Sequence, residues 1–354
     1  MAETFQIYLT SYRTGCLMRV EGDAVTGEMR IAQEIRLGGQ TLAMACAPDG
    51  RHLHVATLAG AEKTSDPLYA TLSVDPLTGA LTHCATVPAP AYMVHLSMDR
   101  SGRWLFGASE PTGRISVTRI KPDGLPEAEP AQVIEGLDRP HHILTDRTNR
   151  HCYVPCMGSD HVRRFDFDAA SGRLGPAWQP MVQVAAGRGP RHMAHHPALD
   201  RAWLVTQHDG AVVTCAIDPG SGALTELASD SMMPDSFQGS PRGAQIHVSP
   251  DGGRLFVTER ASGSVVSWRI DGATGLLSDR QIAACPTGLR CFHIDPSGRF
   301  LVASGVNSDR ALASGDTPGI ACFAIDPNTG RLGAPRVLDC MDGIYWVEIA
   351  GAAA

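Results

Sequence analysis

IHVSPDGGRLFVTER, running from Ile246 to Arg260, is the stretch that decides the fold. It holds one short apolar run, a turn of Pro250, Asp251 and Gly252, an arginine at Arg254, and a second apolar run. Two strands joined by a hairpin are the natural reading, because Asp and Gly supply the dihedrals that tight turns need. The same order of parts recurs in PDGRHLHVA at Arg51, RSGRWLFGA at Arg103, RTNRHCYVP at Arg150, ALDRAWLVT at Arg201 and PSGRFLVAS at Arg299, at intervals of about 50 residues. After the anchor arginine comes a third run and usually a second turn, as in DPLTGAL from Asp75, DAASGRL from Asp168, DPGSGAL from Asp218, DGATGLL from Asp271 and DPNTGRL from Asp326. Each unit is therefore four short strands.

Six anchors leave the two ends of the chain, which are complementary. Gln6 to Ala32 reads as the later strands of a unit, with Thr26 and Gly27 in its turn, and IYWVEI from Ile344 to Ile349 reads as a first strand. Together they make a seventh unit. The expectation is an all-β, single-domain, seven-bladed β-propeller spanning residues 1–354, its ring closed by both termini in one blade. A β-sandwich would not repeat at a near-constant interval.

The 354 residues carry 37 acidic and 30 basic side chains, a formal charge of −7, which argues against a nucleic-acid partner. The 43% hydrophobic content fits a folded chain. No apolar run reaches the roughly 18 residues of a membrane span and the start has no basic, apolar leader, so a cytoplasmic protein is expected. The ten cysteines are spread singly apart from Cys152 and Cys156, and they read as buried reduced thiols. No HExxH, paired CxxC or Gly-rich phosphate loop appears, so neither metal nor cofactor is implied.

In a propeller the first strand of each blade lines the channel, so equivalent early positions converge. Nine residues before the anchor stand His141, His192, Gln245 and Arg290, with Arg191 one step earlier; six residues after it stand Gln207 and Arg260. These two sets fall at one mouth of the channel. The arginines suit a carboxylate or phosphate, or else ion pairs with neighbouring blades. His141 is the candidate general base; if it and His142 both lie in a strand, His142 points to the opposite face and only one of them faces the channel. His192 and His247 are further binding candidates, whereas His95, His195, His196 and His293 read as core residues. The recurrent anchor arginines read as structural.

VIEGLDRPHH (Val133–His142), GPRHMAHHP (Gly189–Pro197), IHVSPDGGRLFVTER and FHIDPSGRFLVASG (Phe292–Gly305) together resemble the lactonase family of seven-bladed propellers, which includes bacterial 6-phosphogluconolactonases and is related to fungal carboxymuconate-cyclising enzymes. The resemblance implies a functional group of His141, Arg191 and Arg260, with the family's glutamate replaced by Gln207. It implies hydrolysis of an anionic sugar lactone such as 6-phosphogluconolactone. A cycloisomerase or lactonase of muconate-type polycarboxylates, or a non-enzymatic binding ring, are the alternatives. The segment Ser304 to Gly319, rich in Gly, Ser and Asp, is a candidate lid over the mouth.

Overall fold

Burial alternates along the outer strand Leu81–Pro88, as it does along Leu224–Ser231, while inner strands such as Trp104–Ser109 and His151–Cys156 are buried throughout. That contrast is what a radial sheet produces: strands covered by sheets on both sides lose the period-2 pattern, and the outermost strand keeps one wet face. The computed structural model describes residues 4–304 and 319–350, and the proposed lid lies almost wholly outside them.

The described residues form 28 strands, β1 to β28, in seven antiparallel four-stranded sheets. The expected propeller is present. Its innermost strands are β4 (Gln40–Cys46), β8 (His95–Met98), β12 (Leu144–Thr145), β16 (Pro190–His195), β20 (Gly243–Val248), β24 (Cys291–Ile294) and β28 (Ile344–Ala350). The closing blade joins β28 to β1 (Thr4–Ser11), with Ile7 opposite Ile349, and continues through β2 (Cys16–Asp23) to β3 (Met29–Arg36). The two ends of the chain thus share one sheet, and the ring has no open edge there.

Two repeated devices hold the blades. The first is local: Asp23, Asp75, Asp218, Asp271 and Asp326 each turn a carboxylate oxygen onto the backbone N–H and hydroxyl three residues on. The glycine that follows, as at Gly79 and Gly222, sits at φ +67° and +71°, where a Cβ would be strained. The second joins neighbours: Arg103, Arg150, Arg201 and Arg254 donate to the carbonyls of Ala169, Pro219, Thr274 and Asn328, all in the corresponding turn of the next blade. Tyr8 and Tyr153 do likewise, to Gly79 and Gly222. These four anchor arginines are structural, as expected from their recurrence.

Seven of the ten cysteines are buried, Cys46 and Cys340 partly so; Cys84 departs from expectation and is exposed on an outer strand. Among the described residues there is no helix long and apolar enough to cross a membrane.

Candidate functional site

Counting from the anchors sets His141, His192, Gln245 and Arg290 at one level, and the structure corrects this. Each inner hairpin is closed by a backbone bond: Asp146 N–H to His151 O and Asp295 N–H to Phe300 O, but His196 N–H to Arg201 O and Ser249 N–H to Arg254 O. Arg201 and Arg254 thus stand one place later in their turns than Arg150 and Arg299. Corrected for that shift, the channel has two tiers at its mouth. Val94, His141, Arg191, Ala244, Arg290 and Tyr345 form the upper one. His95, His142, His192, Gln245, Cys291 and Trp346 form the lower.

Successive residues of a regular strand would point to opposite faces, and here Arg191 and His192, Arg290 and Cys291, and Tyr345 and Trp346 all line one cavity. The reason lies in the backbone. Register shifts interrupt the mouth end of β16 between Pro190 and His192, of β20 between Gly243 and Ile246, and of β28 opposite Thr10 and Ser11. A bulge of this kind re-aims a side chain. In the blade of β12, His141 to Ile143 are not strand at all, being held by the Pro140–Cys156 bridge and the bond from His141 N–H to Pro155 O. The His142 ring lies against those of His95, at 3.9 Å, and His192, at 4.5 Å.

The tiers frame a small cleft, open at one end and no roomier than about one water molecule, lined by Val94, His141, Arg191, His192, Gln245, Arg290, Cys291, Tyr345 and Trp346. Arg191 is 2% exposed; its Nη1 donates to Ala244 O at 2.5 Å, and its Nε has no partner. The Arg290 guanidinium lies 4.3 Å from the centre of the Tyr345 ring, a cation–π contact. Arg260 stands at the rim, its Nη2 donating to Gln207 Oε1 at 2.9 Å and its Nε to Arg242 O. Gln207 thus meets Arg260 rather than the cavity floor. Gln245 spans blades, its amide oxygen accepting from Phe292 N–H at 2.8 Å. His247 sits deeper, with its ring against Phe292 and His293, and does not line this cavity.

Among the described residues no ion pair involves Arg191, Arg260 or Arg290. The nearby carboxylates are engaged elsewhere. Glu259 accepts from the N–H groups of Arg242, Ala261 and Ser262, and Glu110 pairs with Arg139 at 2.6 Å. Burial first, then repulsion from neighbouring arginines, outweighs the pull of Glu259 on Arg260 and of Tyr345 on both, lowering Arg260 to about 9 and pushing Arg191 well below the usual range. Burial first, then Arg191 and Arg290, holds His141 well below 6.5, so its imidazole is neutral at neutral pH.

His95 belongs to the same column. It was read as a core residue and is buried, yet its ring lies 3.9 Å from that of His142 and 5.5 Å from His192. His196 is a structural residue, accepting from Ala198 and Leu199 N–H at Nδ1 and joined through Nε2 to Gly252 O. Tyr345 and Trp346 were missed as site residues. Their strand carries no anchor arginine, so no count could assign their level, although its reading as an innermost strand already placed it on the channel. Among the described residues, no group of three or more His, Cys, Asp or Glu has the geometry to hold a metal ion.

Residues 6–349 match the family described as "Lactonase, 7-bladed beta-propeller". The 6-phosphogluconolactonase of Yersinia pestis is 34% identical over 329 residues, 92% of each chain, and that of Pectobacterium carotovorum is 32% identical over 327 residues, covering 91% of this chain and 92% of its own. Among solved structures, the periplasmic gluconolactonase PpgL of Pseudomonas aeruginosa superposes with a TM-score of 0.85 at 22% identity, covering 99% of this chain and all of the other.

Proposed function

This chain belongs to the lactonase family of seven-bladed β-propellers, and from that premise we propose that it hydrolyses an anionic sugar lactone of the 6-phosphogluconolactone class, without a metal. The observation that carries the reading is one cavity holding a neutral imidazole, His141, beside two arginines, with a third at its rim, none of them in an ion pair among the described residues. Such a site is costly in an empty protein and is compensated by a ligand that brings negative charge.

His141 takes a proton from the attacking water as the new C–O bond forms. Arg191, buried at the cavity wall, faces the oxyanion that develops on the lactone carbonyl. Arg290 and Arg260 hold the anionic group, and Gln207 orients Arg260 and offers its amide to a substrate hydroxyl. The proton on His141 then passes to the ring oxygen as the ester C–O bond breaks. Substrate charge also tunes the base: an anion among the arginines screens the field that depresses His141 and raises its basicity when the lactone is bound. A cytoplasmic setting fits an exposed reduced thiol at Cys84.

A second reading has its own support. A neutral amide at Gln207 leaves three positive charges uncompensated, which would suit a muconate-type di- or tricarboxylate undergoing cyclisation or lactone opening. The test is proton release from 6-phosphogluconolactone and uncharged gluconolactone, alongside absorbance of conjugated polycarboxylates. Acceleration of the phospholactone above its spontaneous rate is expected. Turnover of only the conjugated acid would replace the first reading with the second.

A further inference from the structure

We propose that His192 is the positioning residue of the reaction: its Nε2 accepts the Nδ1 proton of His141, which leaves Nε2 of His141 unprotonated and free to act on water. The two nitrogens are 3.2 Å apart, in a pair 7% and 3% exposed. Among the described residues no carboxylate bonds to the His141 ring, so His192 holds the place that an aspartate holds behind a catalytic histidine in a triad. This inference rests on His141 being the base of the proposed hydrolysis.

The chemistry of the mouth explains why an imidazole suits this place better than a carboxylate. An aspartate here would be drawn into ion pairs with Arg191 and Arg290 and would cancel the field that binds the anion. A neutral imidazole accepts a hydrogen bond without adding charge. Burial first, then His142 and Arg191, keeps His192 well below the usual histidine range, so it stays a neutral imidazole, which accepts at Nε2 with its own proton on Nδ1. The groups that face the pair are Arg191 on β16, Arg290 beside β24, Tyr345 and Trp346 on β28, His95 on β8 and His142 before β12.

The ring is also fixed in place. His142 lies against it at 4.5 Å and 34°, His95 meets it edge-on at 5.5 Å and 81°, and Trp346 lies at 6.4 Å and 35°. Those neighbours are themselves held, His95 by Nδ1 accepting from Ile143 N–H at 3.3 Å and Trp346 by its indole N–H donating to Glu348 at 3.0 Å. In the reaction His192 neither gains nor loses a proton. The water proton goes to Nε2 of His141, the imidazolium keeps its Nδ1–H bond to His192, and the same proton leaves for the ring oxygen.

The experiment combines ¹⁵N spectra of the histidines with kinetics of His192→Phe and His192→Gln. In the wild-type protein the His141 proton is expected on Nδ1. His192→Phe should lower kcat by about 100-fold with KM within about threefold, and His192→Gln, whose amide oxygen can accept in place of Nε2, should recover to within about tenfold of wild type. A His141 proton found on Nε2, or an unchanged kcat in His192→Phe, overturns the proposal. If the wild-type protein opens no lactone, the functional reading fails while the tautomer of His141 still decides this one. If His192→Phe does not fold, the wild-type spectrum and His192→Gln decide it.

Discussion

Two sets of arginines in this molecule share a side chain and differ in everything else. Arg103, Arg150, Arg201 and Arg254 stand at the outer ends of the inner hairpins, half exposed or exposed, and each donates to a backbone carbonyl of the next blade. Arg191, Arg260 and Arg290 converge on the axis, and the neighbouring guanidinium groups add to the cost of charging Arg191 and Arg260. The first set repeats from blade to blade because those four seams have the same need. The second does not repeat, because one ligand needs several different groups at one point. Repetition marks what builds the ring, and its interruption marks the site.

The sharpest way to break this comparison is Arg191→Met. Losing the buried cation beside the carbonyl should lower kcat/KM by about 1,000-fold. The thermal midpoint should hold or rise, because an apolar chain of similar size removes the repulsion from Arg260 and Arg290. A fall in both activity and midpoint would put Arg191 with the structural set.

Acid titration separates the regions next. Burial holds His54 and His95 at about 3 and His195 at about 4 in the folded protein, against about 6.5 when unfolded. The unfolded chain therefore binds protons that the folded chain refuses. As far as these histidines go, stability should be flat between about pH 7 and 8 and fall as pH drops from 6.5, by about 1.4 kcal/mol per pH unit for each such histidine. The turn carboxylates, such as Asp75 and Asp271, are depressed by the N–H and hydroxyl groups of Thr78 and Thr274. Their contribution is complete above about pH 4 and is lost only below it. Chemical denaturation across pH 3 to 8 should show the histidine loss first; stability unchanged between pH 7 and 5 would contradict the burial of the column.

A smaller effect is expected from Gln207→Glu. A carboxylate in place of the amide that meets Arg260 adds a negative charge at the rim, so preference for the charged over the uncharged lactone should fall by about tenfold. An unchanged preference would remove Arg260 from the anion site. The least change comes from Arg150→Ala, which deletes one bond to Pro219 O: about 1 kcal/mol of stability by denaturant melt, with kcat/KM unaltered.

How far the site was legible depends on which residues carried a countable position. His141, Arg191, His192, Gln245 and Arg290 were found because each belongs to a blade whose arginine fixes a count, and Gln207 and Arg260 followed from the far end of the same hairpins. Tyr345 and Trp346 had no such count. His247 was grouped with the mouth although it lies two residues further along β20 than Gln245, deeper in the channel. For His142, alternation predicts the opposite face only if both histidines are in a strand; residues 141–143 are not strand, and its ring packs on His95 and His192.

The ring is written in the chain's own pattern: seven four-stranded units, the Asp and Gly turns that shape them, and the pairing of both chain ends in one blade. Those features rest on local dihedral preference and on repetition, which any one unit displays. Only the tertiary structure decided the tiers of the channel, the contact of His141 with His192, and the absence of ion pairs at the three converging arginines among the described residues. Bulges of a single residue turn whole side chains around, and no periodicity in the chain records where they fall.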